Sequence, residues 1–447
     1  MFLDRIIIIV CKMICKILSL FNKQGGNLPG LIALKLDKKL LRYFKITGNV
    51  IAVTGTNGKT STTNLISMIL EKSKSKIICN SDGNNLSTGI ASLLIKNCNL
   101  NGKVNCDYLV LEVDEHYIPV VFSQIKLDTL VVLNFFRDQL DRTGEVEKLI
   151  CKISKYLQSY NGNLVLNAND PNVVRLANCN SNNSNIYYYG VDKYDGSKRQ
   201  TQDKGEGKFC PNCSTRLKYS YYQYSHIGKF LCPKCDFGNN EIKCLVTDVN
   251  LKEKTFNCFD KTFKTKYDSI YNIYNIAASL MVSKIYSISD KTSYDAIENF
   301  ELNQGRFEKI VVNNNETIMN LAKNPTGANV TIKIINRDDD RKELLFVLND
   351  NVADGKDVSW IWDINFNVLN KVDRVITSGT RAYDMAVRIK NSGYNYKKIE
   401  CYPNIEDAIN NLYKTNNKKY IIFNYTAVSD TRTSVFKYKD KVNNDDL

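Results

Sequence analysis

The segment Gly55-Thr56-Asn57-Gly58-Lys59-Thr60 constrains this chain more than any other. It follows the apolar run Val50-Ile51-Ala52-Val53 and opens a helical pattern from Ser61 to Leu70. A strand, a glycine-rich turn and a helix N-terminus make a phosphate cradle. Turn N–H groups and the helix dipole face the anion, Lys59 adds a point charge, and the Thr60 hydroxyl reaches Mg²⁺. The spacing departs from the common G-x-x-x-x-G-K-[ST] loop, because Val53 stands where the first glycine would be.

With 447 residues, the chain is long enough for two or three domains with their own cores. A hydrophobic content of 43% and a charged content of 24% read as soluble and globular. The net charge of +14 is spread along the chain rather than gathered in a block, so it implies compatibility with anionic ligands and no more. Fourteen cysteines without a secretory signal fit a reducing cytoplasm. The only histidines are His116 and His226, so any nucleophile–histidine pair within the chain would have to use one of them.

Residues 2–21 are rich in Ile, Leu and Phe but are interrupted by Asp4, Arg5, Lys12 and Lys16. The longest pure run, Ile6 to Cys11, is far below the roughly 18 residues of a membrane span. An amphipathic helix is expected, either packed on the neighbouring domain or resting on the inner face of a membrane.

After the phosphate loop, buried strands and helices alternate. Strands are expected at 76–79, 108–113, 130–133, 164–166 and 186–189, with helices at 88–95 and 145–160. This pattern predicts an α/β fold with a mostly parallel sheet. Ligands then gather at the carboxyl ends of the strands, where Gly55, Glu112 and Asn134 fall. A helix at 273–287 precedes a boundary near residue 300. Strands at 344–348, 374–377 and 420–423, with helices at 381–391 and 405–414, predict a smaller C-terminal α/β domain of Rossmann-like type. The expected divisions are 1–45 (helical lead-in), 46–300 (nucleotide-binding domain) and 301–447.

An insertion at about 205–240 carries Cys210-Pro-Asn-Cys213 and Cys232-Pro-Lys-Cys235. Four thiolates on two tight knuckles close a tetrahedral shell around Zn²⁺ and leave no open position, so the expected role is structural. Lys218, Tyr219, Tyr221 and Tyr222 lie between the knuckles, as in some nucleic-acid-binding ribbons. No basic block or helix-turn-helix pattern accompanies them, and no nucleic-acid partner is expected.

The loop and the segments after it resemble the Mur ligases and folylpolyglutamate synthetases, which use ATP to join a carboxylate to an amine. Glu112, ending Leu111-Glu112-Val113-Asp114-Glu115, matches the Mg²⁺-associated glutamate of that pattern. Residues 134–142 resemble the segment ending D-H-L-D, with Gln139 in place of the histidine, and 167–171 resemble the N-A-D-D-P turn. Asn275 matches the adenine-contacting amide, and Arg306 matches the arginine of G-R-x-E near the hinge.

Asn320-Leu321-Ala322-Lys323-Asn324-Pro325, the cysteine module and residues 349–363 together resemble the MurT branch of the family. The resemblance implies ATP-dependent amidation, through an acyl phosphate, of the D-glutamate α-carboxylate in the lipid II stem peptide. The ammonia comes from GatD, a glutamine amidotransferase partner that borrows an acid. Asp357 matches that acid, with Asp354 and Asp363 as competitors and Trp360 and Trp362 as interface anchors; without the resemblance, these would read as a turn carboxylate and core aromatics. Lys59 and Glu112 are the expected catalytic residues of the ligase site, and Asp357 is the expected acid of the partner's glutaminase. A stand-alone amino-acid ligase of Mur or folylpolyglutamate type is the alternative.

Overall fold

The structure is a computed structural model describing residues 2–20, 26–80, 84–136, 146–179, 185–200, 207–301, 307–312, 315–351, 354–366, 369 and 372–445. Its described residues divide into two compact units, one within 1–136 and 146–301, the other within 302–447.

The first unit is built on a nine-stranded sheet. Strand Asn49–Thr54 lies between Tyr108–Glu112 and Thr129–Val132, parallel to both. Its residues from Val50 onward are buried, as expected of a strand covered on both faces. On one side the sheet ends in Ile77–Cys79; on the other it runs through Asn163–Asn167, Asn185–Val191 and Ile242–Asn250. Two short strands, Thr255–Cys258 and Lys261–Lys264, close that edge in antiparallel fashion. The chain passes from Asn49–Thr54 outward to one edge and then resumes on its other side at Thr129–Val132. That reversal is the switch point at which open α/β sheets leave a crevice.

The α/β class and mostly parallel sheet expected from the sequence are both present. The two edge strands 255–258 and 261–264 are additional. Their alternating burial, with Phe256 and Phe263 inward, is the half-buried pattern of an antiparallel hairpin.

The N-terminal helix Phe2–Leu20 packs into the first unit through Ile7, Ile8 and Cys11, which join a core containing Ala33, Leu40 and Leu94. Helix Leu28–Leu36 lies so close to Ser87–Asn97 that a Cβ on Gly30 would stand 1.9 Å from the Thr88 carbonyl oxygen.

The second unit is a six-stranded sheet ordered 308–312, 315–321, 418–423, 342–347, 372–378 and 399–401, parallel except for the first hairpin. Apolar clusters cover both of its faces. Helices Ala382–Asn391 and Ile405–Leu412 stand near their expected positions.

The close approach at Gly30 makes a prediction. Gly30→Ala should destabilise the first unit by about 1–3 kcal/mol through overpacking against backbone that cannot yield. Thermal unfolding followed by circular dichroism should show the drop in Tm.

Candidate functional site

The phosphate loop leaves Thr54 with Gly55 at φ 130° and turns into helix Lys59–Lys72 through Gly58 at φ 90°. Gly58 is required twice over: the left-handed backbone favours glycine, and a Cβ there would meet Asn275 Oδ1 at 2.3 Å. Asn275, on the buried helix Ile270–Ile285, is thus brought against the loop from more than 200 residues away in the chain.

The loop is held from the neighbouring strand end. The Thr56 N–H donates to the Asn134 carbonyl (2.9 Å), and the Phe136 N–H donates to Thr56 Oγ1 (3.0 Å). The Asn134 side chain accepts from the Asn57 N–H (2.9 Å) and donates to the Asn57 carbonyl (3.0 Å). Asp170, fully buried, accepts from the Phe135 N–H (2.9 Å) and from the Asn172 N–H (2.8 Å), and the His226 Nε2 lies 3.2 Å from its Oδ1. Residues 134–136, Asp170 and His226 therefore form the scaffold of the loop. The resemblance had marked Asn134 and Asp170 as parts of motifs. Nothing in sequence spacing joins His226 to them.

Lys59 is buried. Its Nζ donates to the Gly55 carbonyl (2.5 Å) and pairs with Glu115 Oε2 (3.2 Å). Burial acts to lower its pKa, but Glu115, then Asp114 and Glu112, outweigh that effect and hold it above the ordinary lysine value. Glu115 is a member of this site that the sequence marks only as part of an acidic run.

Glu112 ends its strand opposite Val53. One carboxylate oxygen accepts from Asn85 Nδ2 (2.9 Å), and the other, Oε2, is buried with no hydrogen-bond partner among the described residues. A carboxylate oxygen buried this way is costly unless a cation meets it, and a hard oxygen donor suits Mg²⁺. Thr60 is also buried, in the first turn of the loop helix. These residues fit a magnesium–nucleotide ligand. Arg306 and Gln139 lie outside the described residues.

The four cysteines of the insertion converge, with all Sγ atoms within 4.8 Å of one another. The Cys210–Cys235 and Cys213–Cys232 sulfur separations are both 3.5 Å. A tetrahedron with 2.3 Å metal–sulfur bonds has edges of about 3.8 Å, so the cluster fits a thiolate-bound metal ion. The apolar core beside it, of Val174, Leu217, Phe230 and Phe237, is small, as in domains that a bound metal stabilises. The hairpin 218–224/227–231 is tied to the sheet by Gly228, whose N–H donates to the Asn169 carbonyl (2.9 Å), and by His226.

In the second unit, Asp357 is half-buried and accepts from the Ser359 N–H (2.7 Å), at the start of the short helix Ser359–Asp363. Asp354 is buried and accepts from both the N–H and the hydroxyl of Thr426. Asp363 is exposed. The two tryptophans separate: Trp360 is 6% exposed and packs in the core with Ile361 and Ile364, whereas Trp362 is 52% exposed, with the Arg388 guanidinium 5.5 Å from its ring centroid. The expectation that both are surface anchors fails for Trp360, because the apolar residues beside it carry its side of the short helix inward.

The Mur ligase middle domain matches residues 53–283, and the MurT ligase C-terminal domain matches residues 321–428. The lipid II isoglutaminyl synthase (glutamine-hydrolyzing) subunit MurT of Staphylococcus aureus (strain COL) is 33% identical over 373 residues, 83% of each chain. This chain belongs to the MurT family. The MurT subunit of Streptococcus pneumoniae (strain ATCC BAA-255 / R6) is 29% identical over 416 residues, 92% of each chain. Among solved structures, a pseudomurein peptide ligase type C from Methanothermus fervidus shares the fold with TM-score 0.67 at 22% identity, covering 90% of this chain and 81% of that one. Within the MurT-family match, the loop, Glu112, the cysteine cluster and Asn275 all fall in the middle domain, and Asp357 falls in the C-terminal one.

Asn134→Ala removes both side-chain bonds that hold Asn57. Its expected cost is about 1–2 kcal/mol of stability, read as a drop of a few degrees in Tm, with weaker ATP binding in calorimetric titration because the loop is no longer held.

Proposed function

We propose that this chain is the ATP-dependent ligase subunit of a lipid II isoglutaminyl synthase. On this reading it converts the D-glutamate α-carboxylate of the lipid II stem peptide to D-isoglutamine, in peptidoglycan synthesis. The observation that carries this is similarity to MurT subunits along most of the chain, together with a C-terminal match that includes the Asp354–Asp363 segment.

ATP, when bound with Mg²⁺, supplies the phosphoryl group that activates the carboxylate. The residues assigned to hold it are Gly55, Thr56, Asn57, Gly58, Lys59 and Thr60 at the phosphates, Thr60 and Glu112 at Mg²⁺, Asn275 at the adenine and Arg306 at phosphate charge. Lys59 supports this role because three carboxylates keep its ammonium charged inside a buried site, where charge acts most strongly on a developing anion. Cys210, Cys213, Cys232 and Cys235 hold a structural Zn²⁺, with four thiolates and no open position.

The attacking nucleophile is ammonia, delivered by a GatD-like glutamine amidotransferase in a heterodimer. Asp357 is the acid lent to that partner: a triad acid orients the imidazole and stabilises its cation. Support comes from the local geometry. Asp354 is committed to Thr426. Asp357 is half-buried and lies two residues before the short helix that carries the exposed Trp362. His226 is likewise committed, to Asp170, which supports placing the glutaminase on another chain. The lipid-linked substrate places the reaction at the inner face of the cytoplasmic membrane.

The test combines the chain with ATP, Mg²⁺ and lipid II, adding ammonium or glutamine, with or without the amidotransferase, and weighs the stem peptide by mass spectrometry. Ammonium alone should suffice, and glutamine should act only with the partner. Glutamine-dependent product from the single chain would sink the lent-acid role, and addition of an amino acid would favour a stand-alone ligase. Lys59→Ala should lower amidation from either source by about 10²–10³-fold. Asp357→Asn should lower glutamine-driven amidation by up to about 10⁴-fold and spare the ammonium-driven reaction. Elemental analysis should find about one zinc per chain, lost together with several degrees of Tm in Cys210→Ser.

A further inference from the structure

The helix Phe2–Leu20 is apolar on two faces, and the fold uses only one. Ile7, Ile8 and Cys11 are buried in the core of the first unit. Leu3, Ile6, Val10, Met13 and Ile17 face solvent, with Leu3 61%, Met13 51% and Ile17 54% exposed. Their spacing of three and four residues places them in one stripe along the helix. Helix Leu28–Leu36, which packs beside it, adds the exposed Leu28, Leu31 and Leu36. Single exposed leucines are ordinary, but a continuous apolar stripe on a helix already anchored by its other face marks a surface meant to be covered.

The charges say by what. The exposed charged side chains on these two helices are Arg5, Lys16 and Lys35, all basic, and the one carboxylate, Asp4, is half-buried. On a helical projection Arg5 and Lys16 fall together along one border of the apolar stripe. We propose that this face lies on the surface of an anionic bilayer, with the apolar stripe at the acyl boundary and the basic residues at the lipid phosphates. A second copy of the chain is a poorer occupant, because a two-fold pairing sets the basic border against itself. No described helix is long and apolar enough to cross a membrane, so the face lies on the bilayer rather than spanning it.

The proposal does not rest on the reaction assigned above; if that reaction is right, the same face brings the enzyme to its lipid-linked substrate. Sedimentation of the full chain with sucrose-loaded vesicles tests it. The chain should pellet with phosphatidylcholine–phosphatidylglycerol vesicles and several-fold less with phosphatidylcholine alone or in high salt. Ile6→Gln/Met13→Gln/Ile17→Gln should weaken pelleting about tenfold or more with Tm unchanged, since these side chains are exposed. Arg5→Ala/Lys16→Ala, which leaves the packed face untouched, should cost about fivefold per charge on anionic vesicles and nothing on neutral ones. A chain that stays in the supernatant with anionic vesicles would overturn the proposal. So would pelleting indifferent to both variants, or vesicle-free self-association that the triple variant abolishes. Each of these results can be read separately from amidation of detergent-solubilised lipid II.

Discussion

The buried carboxylate of Asp170 is the contact on which the nucleotide end of the first unit depends. It holds the Phe135 N–H, caps the short helix after it through Asn172, and stands 3.2 Å from His226 at the tip of the cysteine hairpin. Phe135 lies between Asn134 and Phe136, the two residues that clamp Thr56 and Asn57. A carboxylate buried without such donors would be strongly destabilising, so each partner is in effect obligatory. The phosphate loop therefore inherits its shape from a strand end and a turn far away in sequence. The cysteine-bearing insertion is tied to the same carboxylate through His226.

Around this scaffold, charge is concentrated where the parallel strands end. Lys59 is drawn back between the Gly55 carbonyl and Glu115, and Glu112 keeps one buried oxygen without a donor among the described residues. A cation and a polyanion together answer both features, since each neutralises charge that the apolar strand ends cannot solvate. Carboxylate activation at such a site needs positioning and charge neutralisation more than covalent chemistry from the protein.

Several of these elements are legible from the sequence because their signals are local. The strand–loop–helix around Gly55–Thr60, the paired C-x-x-C knuckles and the alternation of apolar runs with helical patterns depend on neighbours a few residues apart, where backbone geometry and ligand spacing act directly. The edge strands 255–258 and 261–264 are not legible in this way, since a half-buried hairpin of four-residue strands carries little periodicity. Trp360 and Trp362 show the same limit at a single site. Two residues apart in one turn, they differ in fate because Ile361 and Ile364 carry one side of that turn into the core.

The α/β class, the phosphate cradle and the cysteine cluster are fixed by the chain's own residue types at short spacings, and the branch of the ligase family is marked by resemblance along several segments. Which distant groups meet them is settled by the packed chain: Asn275 against Gly58, Asp170 at the Phe135 N–H, Glu115 on Lys59, Thr426 on Asp354. The packed chain also decides that helix Phe2–Leu20 spends one apolar face on the core and leaves the other exposed. The physical reason is common to all of them. Burial and hydrogen-bond satisfaction are properties of the packed chain, and no spacing along the sequence states which buried polar group will find which partner.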